Sequence, residues 1–303
     1  MAAQTLHARI GRDGPRLEVE RTAEGITALA AFCREHSADL VVMEATGGYE
    51  KLPFILLWAA EQPCALANPR SVRRFAEGMD VVEKTVRIDA GMIAWYAESK
   101  KLKAQPPPSE AQEHLSALVG RLGQLTRLVV TQLNQRRLET DAVVLQSIDE
   151  VLALLRRQSR ELERRIGELI AADPVWRQLE QAFRTIKGVA GRTVARLMAD
   201  LPEIGTLSNK AISKLVGVAP IAKDSGQASG RRRVRGGRDA IRSILFVVAN
   251  VVRRHNPDFS DFHRRLSERG KPKKAIRVAI AHKLLVRLNA KARDVRRQLA
   301  VPA

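Results

Sequence analysis

Cysteine is scarce in this chain: Cys33 and Cys64 are the only two in 303 residues. They form neither a CxxC spacing nor a set of paired half-cystines, which excludes a zinc knuckle and a disulfide-stapled scaffold. Both read as buried apolar fillers. The six histidines show no metal-ligand spacing. No apolar run approaches the roughly 18 residues of a spanning helix, and the start MAAQTLHARIG has neither the charged nor the apolar region of a secretory signal. The expectation is a cytoplasmic protein with no membrane segment. Acidic residues are also short, with 33 Asp plus Glu against 52 Lys plus Arg and a net charge of +19. So basic a chain is expected to meet a polyanion, nucleic acid first and an anionic membrane surface second. From Ile221 to the end, 22 Lys plus Arg face 6 Asp plus Glu, so +16 of the +19 resides there. That part is expected to carry the polyanion contacts.

The length suits about two domains of ordinary size. In the first stretch Leu6, Ala8 and Ile10 alternate with polar residues, GRDGP offers a turn, and Leu17 and Val19 alternate again, which predicts a hairpin. Thr22 can cap a helix whose Ile26, Leu29, Ala30 and Cys33 share one face. A buried strand is expected over residues 40–43, covered on both faces because its apolar residues run without a break. A helix from about Tyr49 to Ala60, a strand around Cys64 to Ala67 and helices on either side of EKTVRIDA follow. Strand and helix alternate, which argues α/β over residues 1–105. Pro106 to Pro108 stiffen the chain and mark a boundary. Over residues 110–172 the leucines recur at three and four spacing, predicting a coiled-coil helical hairpin with its turn near Glu139 to Asp141 and a role in assembly. Residues 175–303 read as a compact, basic, helical domain. It contains a Gly-, Ser- and Arg-rich loop from Ala222 to Arg238 and closes with two basic helices, roughly Arg238 to Arg254 and Lys273 to Arg297.

Three constellations could carry chemistry. In TIKGVAGRTVARLM, Gly188 and Gly191 lie three residues apart between apolar-periodic segments, the pattern of a helix-hairpin-helix. With Lys187 and Arg192 such a turn can aim backbone N–H groups at a phosphate; equally, it can be an ordinary glycine turn. Glu44 ends the buried strand, and Asp89 lies near the start of a later helix. Presented at one end of a sheet, the two could hold Mg²⁺; otherwise they merely cap helices. Ser225 lies in AKDSGQASGRRRVRGGR, where Arg231, Arg232, Arg233, Arg235 and Arg238 could hold a phosphate and offset developing charge while the hydroxyl attacks. A Ser-Gly pair in a solvated loop is the plain alternative. Lys271, Lys273 and Lys274 extend the basic surface.

Taken in order, VVMEATGGYE, NPRSVRRFAEG, EKTVRIDA, IKGVAGRTVARLMADLPEIG, LVGVAPIAKDSG, RGGRDAIRSIL and RHNPDFSDFHRRLSERGKPKKAIRVAIAHKLL resemble the DEDD-type transposases of the insertion-sequence-110 family, which includes site-specific DNA invertases. The resemblance implies an RNase H-like, RuvC-like first domain bearing Asp, Glu, Asp, Asp and a C-terminal domain bearing a catalytic serine. Glu44 looks like the family's glutamate, Asp89 like its last aspartate and Ser225 like its nucleophile. The resemblance also implies Mg²⁺, DNA, a guide RNA, a dimer or tetramer that brings two DNA sites together, and work at the bacterial nucleoid. Two positions depart from the pattern. Val86 stands where the family's KTDRIDA has aspartate, and the first aspartate is absent because the sequence opens on a segment resembling the residues after it. A sheet lacking that interior strand would expose unpaired backbone groups, so a start assigned too late is expected. A recombinase is the leading expectation. A binding-only remnant and a metal-dependent junction nuclease, which would not need Ser225, are the competing ones.

Overall fold

The computed structural model describes residues 4–45, 47–81, 86–221, 224–225, 228–229 and 233–300, and all their side chains except those of residues 86–89, 224–225 and 228–229. The chain forms two compact units that divide between Pro108 and Ser109.

The first unit opens with an antiparallel hairpin of β1 (Thr5–Arg9) and β2 (Arg16–Glu20), in which Leu6 faces Val19 and Ala8 faces Leu17. The alternation of the sequence thus sets the register, because a slip of one residue would turn every apolar side chain outward. Helix α1 (Ala23–Glu35) starts where Thr22 Oγ1 accepts from the Gly25 N–H at 3.2 Å, and it buries Ile26, Leu29, Ala30 and Cys33. Strand β3 (Val41–Glu44), helix α2 (Lys51–Ala59) and strand β4 (Cys64–Ala67) make a parallel pair joined by a helix, Glu44 standing opposite Ala67. Helices α3 (Pro69–Gly78) and α4 (Val86–Lys100) follow, the first capped by Asn68 Oδ1 accepting from the N–H groups of Arg70 and Ser71. The core joins Leu6, α1, Met43, Phe54, Leu57 and Cys64. Cys33 and Cys64 are buried free thiols, and burial, with Cys33 second, pushes Cys64 up to about 12.

Among the described residues the four strands make two separate two-stranded sheets, β1–β2 and β3–β4. A cavity of about 540 Å³ lies between them, lined along their length by β1 and β3 and floored by α4. The expectation that β3 is covered on both faces therefore needs correcting: Val41, Val42 and Glu44 are half-buried and only Met43 is buried. A strand paired on one edge and facing a cavity on the other lacks the second neighbour that would cover it.

The second unit begins with α5 (Glu110–Arg136) and α6 (Ala142–Ala172), a helical hairpin turning at residues 137–141. Ser109 caps the first helix and Asp141 the second, and Arg136 grips Asp149 across the hairpin with bonds of 2.7 and 3.1 Å. Then come α7 (Pro174–Arg184), α8 (Gly191–Asp200) and α9 (Asn209–Val216). Four two-residue strands follow: β5 (Pro220–Ile221), β6 (Asp224–Ser225), β7 (Ala228–Ser229) and β8 (Arg233–Val234). The chain closes with α10 (Asp239–His255), α11 (Pro257–Glu268) and α12 (Lys273–Ala300). One core runs from Leu115, Val119, Leu122, Ile166 and Ile170 of the hairpin base into the later helices. Its axis is α12, whose Ile276, Ile280, Leu284, Leu288, Ala292 and Val295 are all buried.

Two expectations are corrected here. Three helices, not two, close the chain, because Asn256 caps a helix with Pro257 in its first turn rather than ending one. Within the segment expected as a loop from Ala222 to Arg238, β6 pairs with β7, and β8 pairs with β5, which lies just ahead of it.

Candidate recombination site and nucleic-acid interface

Glu44 sits at the C-terminal end of β3, half-buried, where the ladder to β4 continues for one more bond from the Ala45 N–H to the Ala67 carbonyl. The chain then leaves the sheet through Gly47 and Gly48, both at positive φ, and the Gly48 N–H donates to the Glu50 carboxylate at 2.9 Å. Val86 and Asp89 belong to the first turn of α4, and their side chains lie outside the described residues. Among the described residues no group of three or more His, Cys, Asp or Glu side chains is placed to hold a metal ion. Glu44 is thus the one described candidate ligand, and Val86 brings no oxygen where a carboxylate would. The described donor set does not make a complete Mg²⁺ site, which needs several oxygens in near-octahedral order.

Ser225 lies in the inner of the two ladders, opposite Ala228, and the outer ladder sets Pro220 against Val234 and Ile221 against Arg233. Its side chain, together with Arg231 and Arg232, lies outside the described residues. The base of this ribbon is fixed. Gly217 ends α9 in the left-handed conformation at φ 79°, and a Cβ there would run into the Gly236 carbonyl. Only glycine lets the two backbones come that close. The Arg238 N–H donates to the Leu215 carbonyl at 2.9 Å, and Arg242 binds the Gly236 carbonyl and Asp239.

The basic residues named from the sequence divide into two sets. Arg238 holds Glu203 with bonds of 2.5 and 2.6 Å and the Asp200 carbonyl at 2.8 Å, tying the ribbon base to the end of α8. Arg192 pairs with Glu163 of α6. These two cations are engaged by carboxylates of the same unit, Arg192 at an exposed position. Lys187, Arg233, Arg235, Lys271, Lys273 and Lys274 are exposed and form no ion pair among the described residues. Gly188 turns at φ 99°, with the position of a Cβ only 3.1 Å from Val252 N and Cα, so packing against α10 already requires glycine there. Gly191 opens α8, whose N-terminus has no side-chain cap and leaves its first N–H groups available. Arg242, Phe246 and Arg277 carry no signal in the sequence that marks them as part of a site, since their pairings form only in three dimensions.

An α/β unit is thus followed by a cation-rich helical unit that carries Ser225 in a short ribbon. A transposase model of the DEDD, IS110 type matches residues 9–139, which contain Glu44 and Asp89. A second model, described as Transposase IS116/IS110/IS902 family, matches residues 180–264, which contain Ser225. The chain belongs to this transposase family. It is also similar to the pilin gene-inverting proteins of Moraxella lacunata and Moraxella bovis, each 27% identical over 253 residues that cover 81% of this chain and 77% of the relative. No helix among the described residues is long and apolar enough to cross a membrane.

Proposed function

We propose that the chain is a DNA recombinase that cuts and rejoins strands with Ser225 as nucleophile. The observation that carries this reading is Ser225 itself, held in a short ribbon whose outer ladder bears Arg233 and whose continuation bears Arg235, both exposed and without an ion-pair partner among the described residues. In the reaction the serine oxygen attacks the phosphorus, its proton leaves, and the bond to one DNA oxygen breaks. The products are a phosphoserine ester and a free strand hydroxyl. Attack by a hydroxyl from a second strand reverses the step and regenerates Ser225, so the phosphoester is conserved. Exposed guanidinium groups offset the charge that gathers on the phosphoryl oxygens. The name of the Moraxella relatives, pilin gene-inverting protein, supports rearrangement of DNA segments as the outcome.

Glu44 and Asp89 are the residues that would contribute oxygens to a divalent ion such as Mg²⁺ in an RNase H-like first unit. With Val86 in place of a third carboxylate, no step is assigned to that ion. A guide RNA and a dimer or tetramer that joins two DNA sites complete the reading. The test is recombination of a plasmid carrying the native element ends. Ser225→Ala is expected to abolish strand transfer while leaving DNA affinity nearly unchanged, since it removes one hydroxyl and no charge. Equal recombination by the variant overturns the serine mechanism in favour of a metal-dependent nuclease. Val86 favours a second reading, a remnant that only binds nucleic acid. If wild type binds but does not recombine and Val86→Asp restores Mg²⁺-dependent joining, that reading stands.

A further inference from the structure

A cavity of about 370 Å³ lies in the helical unit at the foot of the serine ribbon. Val218, Val234, Phe246 and Val278 give it apolar walls, while Arg235 and Lys274 contribute exposed cations to its lining. Val234 belongs to the outer ladder, whose two strands flank in sequence the ladder that carries Ser225. Phe246 is locked in place. The Arg277 guanidinium stacks 3.9 Å from its ring centroid, and Arg277 Nε donates to its carbonyl at 2.7 Å. Arg242, the third cation of the lining, is committed to the Gly236 carbonyl and Asp239, whereas Arg235 and Lys274 have no ion-pair partner among the described residues.

Size, apolar walls with an aromatic ring, and detached cations together define a ligand that is flat, uncharged in its body and anionic at one end. Among the described residues the lining offers cations and apolar groups but neither carboxylate nor imidazole, a chemistry suited to an anion rather than a metal ion. A nucleotide has the required chemistry: a base to lie against Phe246 and the valines, and a phosphate to meet Arg235 and Lys274. A base inside a duplex cannot enter such a cavity; one outside the stack can. Resting on the reading of the chain as a DNA recombinase, we infer that this cavity holds one unstacked nucleotide of the DNA substrate beside the strand to be cut. Holding a nucleotide out of the stack fixes the position of the neighbouring phosphodiester, which is what an in-line attack from the ribbon needs.

The experiment compares binding of the full chain to two otherwise identical duplexes, one perfect and one carrying a single unpaired 2-aminopurine, by anisotropy and by the fluorescence of that base. Wild type is expected to prefer the unpaired site by about tenfold, the scale of one base-aromatic stack, with a changed 2-aminopurine signal. Ser243, an exposed residue of the cavity wall, allows the space to be filled without disturbing the core. Ser243→Leu is expected to reduce the preference to less than about twofold while leaving affinity for the perfect duplex intact, and Lys274→Gln to weaken the preference in part. Equal affinity of wild type for both duplexes overturns the cavity assignment and leaves the recombinase reading standing. So does a preference that survives Ser243→Leu, or a stronger preference for the same bulge in RNA. Failure to bind either duplex overturns the recombinase reading itself.

Discussion

Asn289 has no exposed surface, yet every polar atom of its side chain is engaged. Its amide donates to the Leu207 carbonyl at 3.0 Å and to Asn209 Oδ1 at 2.9 Å, and its carbonyl accepts from the Gly205 N–H at 2.8 Å. Arg293 and Arg296 add bonds to the carbonyls of Leu207, Ile204 and Pro202, so α12 satisfies the backbone of the connection between α8 and α9. Removing the amide strands a buried donor and costs far more than the bond itself is worth. Asn289→Ala is expected to destabilise the chain by about 2–4 kcal/mol, read as a lower midpoint in urea with unchanged slope. A midpoint within error of wild type would show that water replaces the amide. The same residue-scale logic explains two cations named from sequence that are not free surface charges. Arg192 and Arg238 find Glu163 and Glu203, 29 and 35 positions away, and no local spacing discloses such partners.

At the scale of elements, the α5–α6 hairpin buries Leu115, Val119, Leu122, Leu125, Leu152 and Leu155 but leaves Leu128, Leu133, Leu138, Val143 and Val144 exposed toward its tip and Leu154 exposed midway along α6. On the proposed reading, in which two copies join two DNA sites, these exposed apolar side chains would meet a second copy. Replacing Leu133, Leu138 and Leu154 by Gln is expected to shift the chain toward monomer in sedimentation, with helix content preserved. Unchanged mass across the same concentrations would assign the stripe elsewhere. In the first unit, the gap between β1 and β3 is bounded by two strand edges that among the described residues have no neighbour across it. A designed apolar strand of five residues fused ahead of Thr5 through a short turn is expected to enter it and raise Tm, on the order of 4–8 °C for each kcal/mol gained. A polar scramble of that strand giving the same rise would argue against insertion. Periodic elements were legible in the sequence: the β1–β2 register, the buried face Ile26, Leu29, Ala30 and Cys33, and the turn of the long hairpin. Strands of two residues were not, since two positions cannot display a period of two. Of the candidate site, Ser225 was singled out by the family resemblance and the exposed cations by composition. The cavity beneath them could not, because Val218, Val234, Phe246 and Val278 meet only through packing of separate elements.

For the whole molecule the governing quantity is charge: +16 of the net +19 falls from Ile221 onward. Helices α10 and α12 form much of the core, so deleting that region would unfold the unit rather than test its charge. Replacing the exposed Arg233, Arg235, Lys271, Lys273 and Lys274 by Gln tests it directly. The log-log salt dependence of DNA binding is expected to flatten by about 0.9 for each phosphate that the protein no longer neutralises. An unchanged slope would place the DNA on another face. The central claim, that Ser225 becomes covalently joined to DNA, is tested most directly by trapping the reaction on a DNA site that cannot be rejoined, digesting the adduct and locating the nucleotide-bearing residue by mass spectrometry. The account predicts one phosphodiester-linked nucleotide on Ser225 and no adduct with Ser225→Ala. Cleaved DNA with no covalent protein link, or a link at another residue, would contradict it.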